Sequence, residues 1–320
     1  MKITLIYNQG FVKLPDELVE RIRDTAPGVT ISEIYESDVC VEDLFESEIV
    51  FGRIHPRMLK NLPNLKWLHL YTAGADGMTD LSLYANESVL LTKASGTYGV
   101  PIAEHVIGMM TAISHNFGYY YNEQSKGLWS NQSPKLLDIF GSTVLVLGLG
   151  DIGTEVCRRL SRFDCNIIGI RRNPSKPHEF VQDIRPLSRL HDSLPEADFV
   201  VICTPGTEQT NKLFGQNEFK LMKSNAIIVN IGRGSAIDTD ALAVALHTQE
   251  IYGAGLDVTD PEPLPADHPL WNAPNTLITP HISGLTPMMI ERRLMIFIDL
   301  LKRYLNEDEM YNKVDFTEGY

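Results

Sequence analysis

The segment that most constrains the fold is STVLVLGLGDIGTEVCRRLSRF, at residues 142–163. A short apolar run is followed by Gly148, Gly150 and Gly153 in the spacing G-x-G-x-x-G, and then by an amphipathic helical pattern. This order of strand, glycine turn and helix predicts a dinucleotide-binding unit, in which the helix start faces the phosphates. The first glycine permits the turn, the second lets the backbone approach a pyrophosphate, and the third lets helix and strand pack closely. An ordinary tight turn between strand and helix is the alternative.

Short apolar runs alternate with helical patterns on both sides of this unit. Further strands are predicted at residues 2–7, 48–53, 65–71, 89–94, 166–170, 198–204, 226–232, 251–258 and 276–280. Helices are predicted at residues 15–25, 100–124 and 288–305. The alternation predicts an α/β protein with two doubly wound parallel sheets, one before and one after residue 98 or so.

The net charge and the cysteines indicate which binding partners and which cellular compartment to expect. The chain has 28 Lys and Arg against 41 Asp and Glu, and the net charge of −13 argues against nucleic-acid or membrane-surface binding. No apolar run is long enough to predict a membrane span. The four cysteines, Cys40, Cys157, Cys165 and Cys203, show no paired or His-rich spacing. We expect buried, reduced thiols in a cytoplasmic protein without a metal site.

The next strand after the glycine turn, predicted at residues 166–170, is followed directly by arginine. An NAD site usually has an acidic residue at this strand end, about 20 residues past the glycines, to hold the ribose 2′-hydroxyl. Here Arg171 stands at the strand end, followed by Arg172 and Asn173. Guanidinium groups suit a 2′-phosphate, so the sequence predicts NADP(H) as the preferred cofactor and NAD(H) as a possible one. Two solvated surface arginines are the alternative.

A second group of polar residues lies at the ends of later strands. Arg233 follows a buried strand in a glycine-rich turn, Glu262 lies in a proline-rich loop, and His281 follows Thr-Pro at another strand end. Ligands of open α/β sheets bind beyond the carboxyl ends of the strands. These three residues are therefore candidates for one site.

Four motifs, GLGDIG, VNIGRG, GLDVTDPEPLP and TPHISG, stand in the order and spacing of a known family. With them the chain resembles, over nearly its whole length, the D-isomer-specific 2-hydroxyacid dehydrogenases, and within these it looks most like glyoxylate/hydroxypyruvate reductases. The resemblance implies NAD(P)H-dependent reduction of a small 2-oxo acid to the D-2-hydroxy acid. It makes His281 the proton donor, Glu262 its orienting partner and Arg233 the group that binds the substrate carboxylate and polarises the carbonyl. The residue types suit these roles.

The resemblance also implies further contacts. Backbone N–H groups of Ala73, Gly74 and Ala75 would bind the substrate carboxylate, although a simple turn at a strand end is the alternative. Asp151 and Ile152 would lie under the pyrophosphate, Thr204 and Pro205 beside the adenosine, and the Ile231 carbonyl and Asp257 at the nicotinamide amide. Asp257 could otherwise cap a strand end. The full set implied for cofactor binding is Gly148, Leu149, Gly150, Asp151, Ile152, Gly153, Arg171, Arg172, Asn173, Thr204, Pro205, Ile231, Gly232, Asp257 and Gly284.

The family's domain plan implies a discontinuous first domain. Residues 1–98 with 285–320 would form a flavodoxin-like substrate domain, and residues 99–284 an inserted Rossmann cofactor domain. The reaction would take place in a cleft between them that closes on binding. A homodimer is the family's usual state.

Two alternatives to this function come from similar folds. One is a dinucleotide-sensing, corepressor-like protein. The argument against it is that the sequence shows no disordered or partner-binding extension. The other is a different reaction on the same scaffold. Formate dehydrogenases carry Gln beside the catalytic His, so Glu262 favours 2-oxo acid reduction, whereas phosphite oxidation is less easily excluded.

Overall fold

The computed structural model describes residues 1–7, 14–131 and 135–317. Its internal contacts divide the chain into two compact units, one formed by Met1–Thr97 with Thr286–Tyr320 and the other by Tyr98–Leu285. In sequence, the second unit is therefore inserted between two parts of the first. The last three residues of the predicted 285–320 segment lie outside the described part of the chain.

The first unit is built on a five-stranded sheet in which all neighbouring strands are parallel. Its strands are β1 (Lys2–Tyr7), β2 (Thr30–Tyr35), β3 (Ile49–Phe51), β4 (Trp67–Leu70) and β5 (Leu90–Lys93). Its helices are α1 (Asp16–Thr25), α2 (Val41–Leu44), α3 (Pro56–Leu59) and, after the inserted unit, α10 (Met289–Leu305). The strand order β2-β1-β3-β4-β5 is the flavodoxin-like order, with its switch point between β1 and β3.

Helix α10 packs on the first sheet because its apolar residues repeat at helical spacing. Leu294, Phe297, Ile298 and Leu301 are buried and share one core with residues of β1, β3 and β4. Intervals of three and four residues place these side chains on the same side of the helix. The segment after residue 286 is thereby tied to a sheet formed by residues before 97.

One histidine lies inside this core. His69 in β4 is completely buried, with its ring near those of Phe51 and Phe297. Its Nδ1 lies 2.7 Å from Oγ1 of Thr92, which also accepts a 2.8 Å hydrogen bond from Trp67 Nε1. Burial lowers the pKa of His69 to about 3, so the ring is neutral in the folded protein near pH 7.

The second unit is built on a seven-stranded sheet, again with all neighbours parallel. Its strands are β6 (Thr143–Leu147), β7 (Asn166–Ile170), β8 (Asp183–Arg185), β9 (Phe199–Ile202), β10 (Ile227–Asn230), β11 (Gly253–Leu256) and β12 (Thr276–Ile278). Its helices are α4 (Gly99–Ser114), α5 (Phe117–Ser125), α6 (Asp151–Leu160), α7 (Leu190–Ser193), α8 (Gln216–Leu221) and α9 (Thr239–His247). The order β12-β11-β10-β9-β6-β7-β8 is that of a Rossmann fold with one extra strand, and its switch point lies between β6 and β9.

The predicted fold class, two doubly wound parallel sheets with the second inserted in the first, is confirmed. The prediction of a single helix over residues 100–124 is wrong, because the chain breaks into α4 and α5 at Asn116. Asn116 adopts a left-handed φ of +53°, and its side chain bonds the Lys135 carbonyl at 3.0 Å and the Tyr252 hydroxyl at 3.1 Å. Asparagine tolerates this conformation, and these distant partners fix it. No helix in the described part of the chain is long and apolar enough to cross a membrane.

The expectation that all four cysteines are buried is wrong for Cys40. Its amide and its thiol both donate to the Asp43 carboxylate, at 3.1 Å and 2.8 Å, so Cys40 caps the exposed start of α2 instead of packing in a core. Cys157 is buried, whereas Cys165 and Cys203 are partly exposed. All four are free thiols.

Candidate active site

The glycine turn joins β6 to α6 and leaves the start of the helix open. Gly148 adopts a φ of +91°, which side chains rarely allow. A Cβ atom on Gly153 would lie 1.9 Å from the Gly148 carbonyl oxygen, so the helix meets the strand only because residue 153 is glycine. A Cβ atom on Gly150 would meet no protein atom within 4 Å. The backbone at Gly150 therefore faces open space beside the N–H groups at the helix start, where phosphates bind.

Two side chains of this turn are engaged within the protein. Leu149 packs on β7, because a Cβ atom on Gly169 would lie 2.6 Å from Leu149 Cδ1. The Asp151 carboxylate accepts a 3.0 Å hydrogen bond from the Gly99 amide at the start of α4. Ile152 is partly buried. The predicted pyrophosphate contacts of these residues would therefore use their backbone N–H groups, and they stay predictions.

The end of β9 lies against the glycine turn and the turn after β10. A Cβ atom on Gly148 would lie 2.9 Å from the Cys203 carbonyl oxygen, and one on Gly232 would lie 2.5 Å from the Thr204 carbonyl oxygen. The hydroxyl of Thr204 is buried there, with no hydrogen-bond partner among the described residues. Because an unsatisfied buried polar group costs roughly 1–3 kcal/mol, a ligand group that bonds this hydroxyl would be favoured.

Arg171 directly follows β7, and its side chain folds over the turn that follows. Its guanidinium donates to the Asn173 carbonyl at 2.9 Å and to the Lys176 carbonyl. Its amide donates to the carbonyl of Arg185 in β8 at 3.1 Å. Arg172 and Asn173 are exposed. Arginine thus occupies the strand end at which NAD sites carry an acidic residue.

His281 and Glu262 are in contact at the carboxyl end of the seven-stranded sheet. His281 Nδ1 lies 2.7 Å from Glu262 Oε1, and the two side chains are 50% and 44% exposed. Because a carboxylate can only accept, Nδ1 carries the proton of this hydrogen bond. The contact fixes the ring, and the exposure leaves the pair accessible to a ligand.

The backbone of His281 adopts a left-handed φ of +54°, a conformation that costs on the order of 1–3 kcal/mol in a residue other than glycine. Its amide donates to the Asp257 carbonyl at 2.8 Å. The Asp257 carboxylate, completely buried, accepts from Thr279 Oγ1 at 2.6 Å and from the amides of Ile282 at 2.9 Å and Ser283 at 3.0 Å. Asp257 therefore holds both sides of the turn that carries His281.

Burial alone would raise the pKa of Asp257, but the hydrogen bonds from Ser283, Thr279 and Ile282 lower it below its ordinary value. The carboxylate is therefore ionised at neutral pH. These contacts are those of a strand-end cap, the alternative given above for this residue. A contact between Asp257 and the nicotinamide amide stays a prediction.

Arg233 follows β10 in a turn that a buried asparagine organises. The Asn230 side chain accepts from the Gly232 amide at 3.0 Å and donates to the Arg233 carbonyl at 2.9 Å. Nη1 of Arg233 donates to the Gly232 carbonyl at 2.8 Å, and the side chain is partly exposed. The guanidinium is thus held at the carboxyl end of the same sheet as His281.

The other predicted residues lie at related places. In the first unit, Ala73, Gly74 and Ala75 follow β4, and the Thr72 hydroxyl donates to the Gly74 carbonyl at 2.7 Å. In the second unit, Ile231 is buried after β10, the Pro205 carbonyl accepts from Thr210 at 2.7 Å, and a Cβ atom on Gly284 would lie 2.9 Å from the Tyr98 ring. The ring of Tyr98 explains the glycine at 284, and the cofactor contacts of these residues stay predictions.

Three residues that organise the site carry no prediction from the sequence: Asn230, Thr279 and His105. Asn230 and Thr279 are polar residues at or just beyond the ends of strands in two of the motifs, which is a usable signal for a capping role. His105 Nε2 lies 3.0 Å from Thr279 Oγ1. Nothing in the local pattern of α4 marks His105, because its partner is 174 residues away.

Comparisons with known proteins show which family the chain is similar to. A sequence model described as D-isomer specific 2-hydroxyacid dehydrogenase, NAD binding domain, matches residues 107–283. Glyoxylate/hydroxypyruvate reductase B from Escherichia fergusonii is 31% identical over 290 residues, which are 86% of this chain and 87% of that protein. A D-isomer specific 2-hydroxyacid dehydrogenase family protein from Aeromonas salmonicida matches with a TM-score of 0.84 and 28% identity, over 98% of this chain and 99% of its own.

An NADPH-dependent glyoxylate/hydroxypyruvate reductase from Sinorhizobium meliloti, solved with NADP and sulfate, matches with a TM-score of 0.83 over 100% of both chains. At 22% identity this similarity concerns the fold. The family model, in contrast, covers more than half of the chain, and the Escherichia fergusonii relative exceeds 30% identity over most of it. The chain therefore belongs to the D-isomer specific 2-hydroxyacid dehydrogenase family of NAD(P)-binding oxidoreductases.

Proposed function

We propose that this protein is an NADPH-preferring reductase that converts a small 2-oxo acid of the glyoxylate or hydroxypyruvate type into the D-2-hydroxy acid. The observation that carries the proposal is the 2.7 Å contact between His281 and Glu262, on the edge of the sheet that also carries the glycine turn. The identity of 31% to a glyoxylate/hydroxypyruvate reductase supports the substrate class.

The residues present fit a dinucleotide. Gly150 leaves open space at the start of α6, and the buried Thr204 hydroxyl has no protein partner among the described residues. When bound, the nicotinamide supplies the hydride. Residues 148–153 would hold the pyrophosphate, Thr204 and Pro205 the adenosine side, and Ile231, Gly232, Asp257 and Gly284 the nicotinamide end.

The proton comes from His281. Because Nδ1 is bonded to Glu262, the imidazolium presents its Nε2–H to the substrate carbonyl oxygen, which accepts the proton as the keto carbon is reduced. Glu262 keeps the ring oriented through this hydrogen bond. Arg233 binds the substrate carboxylate and polarises the carbonyl.

Cofactor preference lies with the strand end after β7. Arg171, Arg172 and Asn173 replace the acidic residue that would hold an NAD ribose, and a guanidinium pairs well with a phosphate dianion. We assign the 2′-phosphate of NADPH to these residues. NADH would bind more weakly, because it lacks the phosphate.

Each unit has its own role in this proposal. The seven-stranded unit binds the dinucleotide, and the five-stranded unit contributes the turn at Ala73, Gly74 and Ala75 as an anion nest for the substrate carboxylate. The four free thiols suit a reducing compartment such as the cytoplasm.

A homodimer is part of the proposal. The segment from α5 to β6 exposes several large apolar side chains, namely Phe117, Tyr121, Leu128, Trp129, Leu136 and Phe140. Large apolar side chains that lie exposed along one segment favour a protein interface there. Light scattering after size exclusion should give twice the chain mass of 35.9 kDa, and a monomer throughout the micromolar range would refute the dimer.

The decisive experiment is a panel of glyoxylate, hydroxypyruvate, pyruvate and branched 2-oxo acids, each with NADPH and with NADH. We expect oxidation of NADPH with glyoxylate or hydroxypyruvate. Tight NADPH binding without turnover of any 2-oxo acid would instead favour a dinucleotide-sensing, corepressor-like protein. Reduction of NADP by phosphite alone would indicate the other alternative.

A further inference from the structure

We propose that His105, on α4, is a positioning residue that sets the placement of His281 through Thr279 and Asp257. The proposal rests on the proposed function, because it takes His281 as the proton donor. His105 is not itself a proton donor to substrate. Its side chain is 23% exposed, and its Nε2 bonds the hydroxyl of Thr279.

The direction of each hydrogen bond in this group can be assigned. Thr279 donates its only hydroxyl proton to Asp257 Oδ1, at 2.6 Å, because a carboxylate can only accept. The same hydroxyl oxygen can then only accept from His105, at 3.0 Å, so Nε2 of His105 carries a proton. His105 Nε2 also lies 3.9 Å from Asp257 Oδ1. The hydrogen bond through Thr279 therefore holds His105 beside the buried carboxylate.

Asp257 passes this constraint to the catalytic turn. Its carboxylate accepts from the amides of Ile282 and Ser283, and its carbonyl accepts from the amide of His281. These bonds hold His281 at a φ of +54°, a conformation that relaxes unless its surroundings enforce it. Without His105, Thr279 could rotate away from Asp257, and the turn would lose one of its supports.

Position matters more for His281 than for a residue that only binds. Its ring must keep Nδ1 on Glu262 while Nε2 reaches the substrate oxygen, and small displacements of a catalytic group reduce turnover strongly. Partners that orient metal ligands contribute about 10–100-fold to affinity or activity, and we expect an effect of that order for a partner that orients a proton donor. Loss of His105 should therefore lower kcat more than it changes substrate or cofactor affinity.

The test compares His105→Leu with His105→Gln, whose amide nitrogen can replace the Nε2 donor. We expect His105→Leu to lower kcat about tenfold, with KM for the 2-oxo acid and Kd for NADPH within about threefold. His105→Gln should recover most of the lost kcat. The control is His247→Ala, which removes a comparable contact between a ring nitrogen and the Pro269 carbonyl elsewhere in the same unit.

A double-mutant cycle distinguishes a specific connection between His105 and Thr279 from a general folding defect. Thr279→Val should reproduce the loss of kcat, and combining it with His105→Leu should add little, because both changes break the same connection. Multiplying losses would overturn the proposal. So would a kcat of His105→Leu within about twofold of the native value, or a His105→Gln variant as impaired as His105→Leu.

Amide hydrogen exchange separates this proposal from the proposed function. In His105→Leu, but not in His247→Ala, the amides of Ile282 and Ser283 should exchange at least about tenfold faster. If the native protein turns over no 2-oxo acid but these amides respond, the proposed function fails and the positioning role stands. If they do not respond, the positioning role fails, whatever the activity.

Discussion

At the scale of single residues, the site depends on a contrast between accessible and buried charge. His281 and Glu262 are about half exposed, whereas the Asp257 carboxylate that holds the turn of His281 is completely buried. An exposed pair can meet a ligand, and a buried, fully hydrogen-bonded carboxylate is a rigid support. The proposed reacting groups are thus exposed to solvent, whereas the supporting carboxylate beside them is buried.

His281→Ala should abolish most turnover while leaving the cofactor bound. A positioned general acid contributes about 10²–10⁴-fold, so kcat should fall by that order with the NADPH Kd nearly unchanged. Steady-state kinetics and fluorescence titration measure the two quantities. His191→Ala removes another imidazole–carboxylate contact, 2.8 Å from Glu218, and should behave as native. Native turnover in His281→Ala would contradict the proposed role.

Arg171→Asp should discriminate between the two cofactors. The introduced carboxylate would repel a 2′-phosphate but could bond a ribose hydroxyl, so NADPH affinity should fall by at least about tenfold and NADH affinity should change little. Arg189→Asp makes the same charge change at an exposed arginine paired with Asp192, and should affect neither cofactor. Equal losses for NADPH and NADH in Arg171→Asp would mean that this side chain only supports its own turn.

At the scale of elements, the glycine turn combines two different requirements for glycine. Residue 153 has no room for a side chain, whereas residue 150 has room that the protein does not fill. The first is a requirement of packing between α6 and β6, and the second is the condition for a close ligand. Two single substitutions can therefore separate folding from binding.

Gly150→Ala should fold normally and bind NADPH weakly, while Gly153→Ala should destabilise the second unit. A Cβ atom at 153 would collide with the Gly148 carbonyl oxygen, and overpacking of this kind costs about 1–3 kcal/mol or more. Thermal melts and NADPH titrations of both variants provide the measurement. The explanation fails if Gly153→Ala melts at the native temperature, or if Gly150→Ala binds NADPH as the native protein does.

The elements also show what the sequence could predict. Buried parallel strands such as β6 and β10 are nearly continuous apolar runs, so they were predictable. Strand β2 was missed because it is an edge strand with alternating partial exposure, and β8 because it is an edge strand in which Ile184 is the only apolar residue. In the site, the motifs supplied Arg233, Glu262 and His281 as candidates, whereas Asn230 and Thr279, inside the same motifs, carried no prediction. His105 was not identified either, because its contact with Thr279 depends on the packing of α4 and not on local spacing.

At the scale of the whole molecule, stability should depend on pH through a buried residue that the proposed chemistry does not use. His69 has a pKa of about 3 in the folded protein against an ordinary value near 6.5. Below pH 6.5 His69 is protonated in the unfolded chain but stays neutral in the folded protein. The free energy of unfolding therefore falls as the pH decreases. The expected slope from this group is about 1.4 kcal/mol per pH unit, and it vanishes above pH 6.5.

His69→Phe should remove this contribution of about 1.4 kcal/mol per pH unit, which corresponds to one proton, from the pH dependence of the unfolding free energy. Phe has no group to titrate and can stack on the same aromatic neighbours. Urea unfolding of the first unit between about pH 7.5 and 5 measures the effect. His191→Gln, at an exposed histidine, serves as the control. Parallel pH dependences for native protein and His69→Phe would show that other groups control acid stability.

The insertion of one unit within the other has a consequence for the order of events during synthesis. The second unit is continuous in sequence, so it can complete its core as soon as residue 285 has left the ribosome. The first unit cannot, because α10 supplies Leu294, Phe297 and Leu301 to a core that already contains Trp67. Of the two sheets, the one translated first is therefore covered last, and its apolar face must rely on chaperones or transient collapse until α10 has left the ribosome.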